Sequence, residues 1–344
     1  MRSSPRSTRF VAGLLLVLLT WLALPPAAIA AVPSYKSHRM FGVDYVDARD
    51  FARHFNLTPA WITPRKTMRL KSQWTTLELT IHDADVLING VRIFLGEPVV
   101  MRGTTLYLAR KDAEDLLAPI LTSTALPVRR AFKTIVVDAG HGGNDPGNQN
   151  RRLKLSEKTY TLDVARRLER LLKTHGFKVI MTRKGDRALD LDERTAIANK
   201  ARADLFISIH FNGFSRSEVA GTETYVMTPR HQHSSPQAER DKRMVSTMYP
   251  SNKYDDWNAA FGYHIHRSMV TKLKSADRGL KRFRYSVLRT INCPAVLVEA
   301  AFLSNDAEGR RVATAWYRQR IAESISDAVN QLAALNATVR AREG

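Results

Sequence analysis

A chain of 344 residues has room for two domains, one of them large enough for a full core. Its formal charge of +20, from 53 Lys and Arg against 33 Asp and Glu, points to a polyanionic partner or surface. No recognition helix, zinc-finger spacing or aromatic platform accompanies that charge, which argues against nucleic acid, and the lone Cys293 excludes an intrachain disulfide.

Arg2, Arg6 and Arg9 precede an apolar run from Val11 to Leu24, followed by Pro25, Pro26 and small residues at Ala28 and Ala30. A basic start, a short apolar core and an A-x-A site predict a secretory signal peptide over 1–30, cut after Ala30. The run is shorter than the roughly 20 residues of a membrane span, so no stable span is expected after cleavage. Losing three arginines leaves +17 on the remainder, which suits an anionic envelope polymer or membrane face.

Residues 32–122 read as a small α+β module. Trp74 to Ile81 alternates like a half-buried strand, and Asn89-Gly90 between two apolar runs is a hairpin signal. Tyr45 to Ala52 and Tyr107 to Glu114 repeat one pattern, a short strand leading into a short amphipathic helix. This region resembles the copper amine oxidase N-terminal-like module of bacterial envelope proteins, which implies a structural or wall-attachment role. Copper is not implied, since His38, His54 and His82 lack ligand spacing.

A linker over 123–132 leads into a catalytic domain over 133–335. Strands are predicted at 134–138, 177–182, 204–209, 222–227 and 295–299, with helices over 157–174, from near Leu191, and from about Glu308. The last should align Trp316, Ile321, Ile325, Val329 and Leu332 on one face. Such alternation predicts a twisted, mostly parallel sheet with helices on both faces.

In such sheets the site lies beyond the carboxyl ends of the strands. Four residues are expected there. His141 follows Ile135-Val136-Val137 in a Gly-rich turn, and Glu157 opens the first long helix. His210 and Glu299 each end an apolar strand. Two imidazoles and a carboxylate with an open fourth position are a ligand set for catalytic zinc, and a second carboxylate is then the base. Taken singly, Glu157 could merely complement a helix N-terminus and His210 could be a satisfied core residue; Glu299 after four apolar residues is harder to explain without a partner.

From Thr134 to about Leu332 the chain closely resembles the zinc-dependent N-acetylmuramoyl-L-alanine amidases. The stretches that carry this are Val137 to Gly147, Ser156 to Lys158, Thr182-Arg183 with Asp186, Leu191 to Arg194, and Ala198-Asn199. They continue through Ala203 to Asn212, Gly221 to Tyr225, Val287 to Arg289, and Pro294 to Asn305. The resemblance implies zinc on His141, Glu157 and His210, with Glu299 as catalytic acid–base. It implies hydrolysis of the amide between the lactyl group of N-acetylmuramic acid and L-alanine of the stem peptide in peptidoglycan. A zinc peptidase acting on the stem peptide is the alternative enzyme, and a wall-binding protein without catalysis is disfavoured by the intact site. The expected location is the periplasm or cell envelope, the expected state a monomer, and an envelope activator protein is a candidate partner.

The departures are Phe211, where a smaller residue is usual, and the long segment from Thr228 to Trp257. That segment reads either as a groove wall or as a lid whose Glu239 occupies the open zinc position, as in division amidases whose helix a partner displaces. His231 and His233 read as solvated surface, His264 and His266 as helix residues on different faces, and Cys293 as a buried structural thiol. The basic run Lys281 to Tyr285 reads as a solvated face, with contact to glycan or stem-peptide carboxylates as the alternative. Because 32–122 holds none of the four site residues, a chain starting near Arg129 is expected to keep the chemistry.

Overall fold

The computed structural model describes residues 35–235 and 242–342; the expected signal peptide over 1–30 and Glu239 lie outside them. No helix among the described residues is long and apolar enough to cross a membrane.

The backbone is organised by an eleven-stranded sheet that crosses from one region into the other. Its order is Lys178–Met181, Thr134–Ala139, Leu205–Asn212, Ala295–Phe302, Thr222–Val226, Asp277–Arg282, then Val91–Phe94, Asp85–Ile88, Thr76–Thr80, Thr67–Lys71 and Thr58–Thr63. The first four strands pair in parallel. Thr222–Val226 runs antiparallel to Ala295–Phe302, and the last five strands form antiparallel hairpins. The sheet is therefore mixed, where a mostly parallel one was expected: a sequence pattern gives strand positions but not the direction in which a late strand enters.

Strand Asp277–Arg282 carries no apolar alternation and was not anticipated. It joins the regions, pairing in parallel with Thr222–Val226 on one side and, through Leu280 opposite Ile93, with the N-terminal hairpins on the other. The run from Lys281 is not a solvated face. Lys281 is 8%, Arg282 1% and Arg284 3% exposed. Arg282 Nη2 donates to Asp112 at 2.8 Å and Nη1 to Gln232 at 2.7 Å, while Asp112 also accepts from the backbone N–H groups of Gly96 and Glu97. Partners distant in the chain make burial of those charges tolerable.

The N-terminal repeat becomes a structural pair. Val43–Asp47 and Thr105–Ala109 lie side by side, antiparallel, each feeding a helix. Asn89 and Gly90, both at positive φ, make the two-residue turn of the hairpin. One continuous apolar core holds Val46, Phe51, Leu70 and Leu77 together with Ile135, Val164, Ile207, Phe261 and Ile325. Trp257, fully buried, stacks edge-on against Phe132 and donates Nε1–H to the Pro127 carbonyl at 2.9 Å, so the expected linker is packed down.

Helices Glu157–Thr174, Asp255–Leu273 and Ala315–Arg340 cover one face of the catalytic sheet, and Leu191–Lys200 with Ser286–Arg289 the other. The expected last helix is two, Asp306–Ala313 and Ala315–Arg340, because Thr314 leaves the helical region and caps the Tyr317 N–H. Trp316 and the other four expected residues share the second helix, but Trp316 stands five residues before Ile321 and so lies about 140° round the axis from it. Ile321, Ile325, Val329 and Leu332 are buried, but Trp316 is 68% exposed. Cys293 is a buried free thiol, pushed up to about 12 by burial.

Candidate active site

Period-two alternation sets the site. In the three central strands, Ile135, Val137, Ile207, Ile209, Val296 and Val298 point into the main core, so Asp138, Ser208, His210, Leu297 and Glu299 share the opposite, thinner face. His210 stands opposite Glu299 in register, beyond the last apolar layer. His141 comes from the neighbouring turn, with φ of 60°. A left-handed histidine is strained, and the surrounding structure must hold it. Arg183 donates to the Ala139 and Gly140 carbonyls at 2.9 and 2.8 Å, and Arg194 to the His141 carbonyl at 3.0 Å. Gly140 has no tolerable substitute here, since a Cβ would collide with the His210 ring.

His141 Nε2 lies 3.0 Å from Glu157 Oε1, His210 Nδ1 lies 2.9 Å from the same oxygen, and the two nitrogens are 3.2 Å apart. Among the described residues this is the group of three His, Cys, Asp or Glu side chains placed to hold a metal ion. Glu157 is fully buried; its Oε2 accepts from the Asn148 backbone at 2.7 Å and side chain at 3.0 Å, and Oε1 from the Phe211 N–H at 3.0 Å. Burial pushes the Glu157 carboxyl up, but hydrogen bonds from His141 and His210 outweigh it and hold the group well below the usual carboxylate range. Asp145 Oδ2 accepts from His141 Nδ1 at 2.7 Å, which orients that ring.

Glu299 is placed differently. Its carboxyl is buried, Oε2 has no hydrogen-bond partner, and the Glu157 and Glu223 charges lie nearby. Burial, then those two charges, raises it well above the ordinary carboxylate value. Glu223, opposite Glu299 in register, is itself neutralised by Lys281 and Arg278, each at 2.8 Å.

All four sequence-expected residues line one cavity of about 800 Å³, walled by Leu189 to Leu191 on one side and Tyr285 to Val287 on the other. None of the described residues of 228–257 lines it. Asp145, Asn148 and Arg194 were not assigned roles from sequence; Asp145 and Arg194 sat in motif stretches, and only the fold shows what they touch. His264 and His266 do diverge, toward Gln331 and toward Thr224 and Asp277. The Thr224–His266–Asp277 chain has the order of a nucleophile, base and orienting acid, but Thr224 and His266 are fully buried and brace two strands against a helix.

A sheet edge presenting two histidines and two carboxylates in one cleft has the form of a metal-assisted hydrolase. Residues 135–331 match the family model Amidase_3, N-acetylmuramoyl-L-alanine amidase, and the chain belongs to that family. It is a peptidoglycan hydrolase that cleaves the bond between N-acetylmuramic acid and L-alanine. The chain is 30% identical over 217 residues to the N-acetylmuramoyl-L-alanine amidase AmiA of Escherichia coli K12, covering 57% of this chain and 75% of that protein. It is 31% identical over 208 residues to a putative N-acetylmuramoyl-L-alanine amidase of Buchnera aphidicola, covering 57% and 94%. Among solved structures it is similar to the catalytic domain of CwlV from Bacillus (Paenibacillus) polymyxa, with 30% identity, a TM-score of 0.48, and coverage of 58% of this chain and 97% of that one.

Proposed function

We propose that the amide is cleaved with a zinc ion held by His141, Glu157 and His210, and with Glu299 as the acid–base. The observation that carries this is the donor set itself. Two imidazole nitrogens and one carboxylate oxygen converge to within 3.2 Å, with no Lys or Arg among the donors that contact them. Their identities and count suit catalytic zinc, which keeps a fourth position open. When bound, zinc supplies a Lewis acid for the scissile carbonyl and makes water acidic enough to attack near neutral pH.

The chain's own residues do the rest. Asp145 fixes the His141 ring through Nδ1, leaving Nε2 for the ion. Asn148 and the Phe211 N–H aim the Glu157 carboxylate. Glu299 takes the proton of the attacking water at its carboxylate and returns it to the departing amine of L-alanine, the two transfers that amide cleavage needs. A raised pKa suits both halves of that exchange.

We read 1–30 as an export signal, 32–122 as an envelope-attachment module of the copper amine oxidase N-terminal-like type, 123–132 as the linker and 133–335 as the catalytic domain. The envelope is then the place of action, periplasmic by that reading, with the protein a monomer and an activator protein its candidate partner. Product mass from a muropeptide digest tests the enzyme reading. Intact stem peptide released in a chelator-sensitive, zinc-restored reaction supports it; shortened stem peptides, or turnover that survives chelation, overturn it.

A further inference from the structure

The N-terminal region carries a groove that the amidase site does not use. About 440 Å³ in volume, it lies between the helix end at His54 to Leu57, the turn from Ser72 to Thr75, and the segment at Leu121 to Thr124. Trp74 stands at its rim and is 81% exposed, a large apolar surface left in water. The turn that presents Trp74 is fixed: Ser72 Oγ accepts from the backbone N–H groups of Trp74 and Thr75 at 3.3 and 3.1 Å, and Ser72 N–H donates to the Thr75 carbonyl at 2.8 Å. Phe55 and His54 below it belong to a ring cluster with Phe51 and Tyr35, at centroid distances of 4.7 to 5.9 Å. The turn that carries Trp74 is therefore set before a ligand arrives, which lowers the entropy cost of binding there.

The lining has a second property. Ten residues form it, and none is Lys, Arg, Asp or Glu, on a chain that is 25% charged with a net +20. Polar groups there are the imidazole of His54, the amide of Asn56 and the hydroxyls of Ser72, Thr75, Thr122 and Thr124. A neutral groove with a flat aromatic ring and short amide and hydroxyl groups matches an uncharged sugar, whose apolar ring face stacks and whose rim hydrogen-bonds. It mismatches an anionic polymer or a charged peptide, which the rest of this basic surface would draw instead.

We propose that this groove binds N-acetylhexosamine units of the glycan strand, apart from the site that cleaves the stem. The identity of the polymer rests on the amidase function; the sugar chemistry rests on the groove. Holding the glycan here raises the effective concentration of scissile bonds at the cavity lined by Glu299.

Chitohexaose tests the proposal on the full exported chain, because it has the neutral N-acetylhexosamine backbone and no stem peptide. Neither zinc nor a scissile amide is needed to bind it, so failure of the metal reading leaves this test intact. Wild type should show saturable binding by tryptophan fluorescence and calorimetry. Trp74→Ala should weaken it about tenfold, as loss of a central aromatic contact does. On sacculi that variant should raise KM with kcat unchanged, and Asn56→Asp should weaken sugar binding as well. Phe41→Ala, at an 87% exposed aromatic that lines no part of the groove, should change nothing. No chitohexaose binding by wild type, or equal affinity in wild type and Trp74→Ala, overturns the proposal.

Discussion

The two halves of the shared sheet are built for different ends. The parallel half gathers strand termini at one edge and places four titratable side chains around one cavity, with ligand atoms of His141, Glu157 and His210 within 4.8 Å of one another. The antiparallel half is made of short hairpins with neighbours close in sequence and presents a neutral groove. Between them lies Asp277–Arg282, whose Lys281 and Arg282 side chains are buried, one paired to Glu223 and the other to Asp112. The lesson is that absence of catalytic residues from 32–122 does not make that region separable. It closes a sheet edge, shares the core, and holds Asp112 against Arg282.

The largest expected effect follows from cutting there. A chain starting at Arg129 exposes the edge of Asp277–Arg282 and leaves Arg282 buried without its carboxylate. We expect it to lose its cooperative thermal transition, contrary to what the location of the site residues alone suggests. Circular dichroism and a muropeptide assay check this; a well-folded, active fragment would restore the picture of two independent units. Within the full chain, Asp112→Ala should cost about 3–5 kcal/mol in denaturant unfolding, while replacing both Asp112 and Arg282 by Leu should recover much of it.

A smaller effect is expected on the parallel side. Asp145→Ala frees the His141 ring and should weaken metal affinity about 10–100-fold, read by competition with a chelator. Unchanged affinity would mean that the strained turn alone orients the ring.

The smallest concerns pH at the junction. Asp255, accepting from Asn252 beside Asp115, is pushed up to about 8 by burial and then by the Asp115 charge, and Asp256 to about 6 by the same causes. Both folded values stand above the unfolded value of about 4, so their stabilisation is full below about pH 4. It is lost as pH rises through about 6 and then about 8. Asp255→Asn should flatten the fall in Tm across that window and raise Tm at its alkaline end; an unchanged slope would place the pH dependence elsewhere.

What was legible in the sequence follows from the same contrast. His141, His210 and Glu299 each stand where an apolar run stops, and Glu157 opens a helix with a clear amphipathic period, so local pattern located all four. The site strands were placed to within a few residues for that reason. Lys281 to Arg284 could not be read this way, because the groups that bury them, Asp112, Glu223 and Gln232, lie far away in the chain. Trp316 does not join the buried stripe because a spacing of five residues to Ile321 puts it about 140° round the same helix, where it is exposed. Asp145 and Asn148 gave no signal of their own; their roles exist only once the turn brings them to His141 and Glu157.

The division of labour at the site is tested most directly by zinc content and turnover measured on one sample of Glu299→Gln, beside His210→Ala. Gln is nearly isosteric but cannot accept the proton, so Glu299→Gln should hold about one zinc per chain and lose about 10²–10⁴-fold in turnover. His210→Ala should lose both. A Glu299→Gln protein without zinc would make Glu299 a ligand, and full zinc in His210→Ala would contradict the metal site itself.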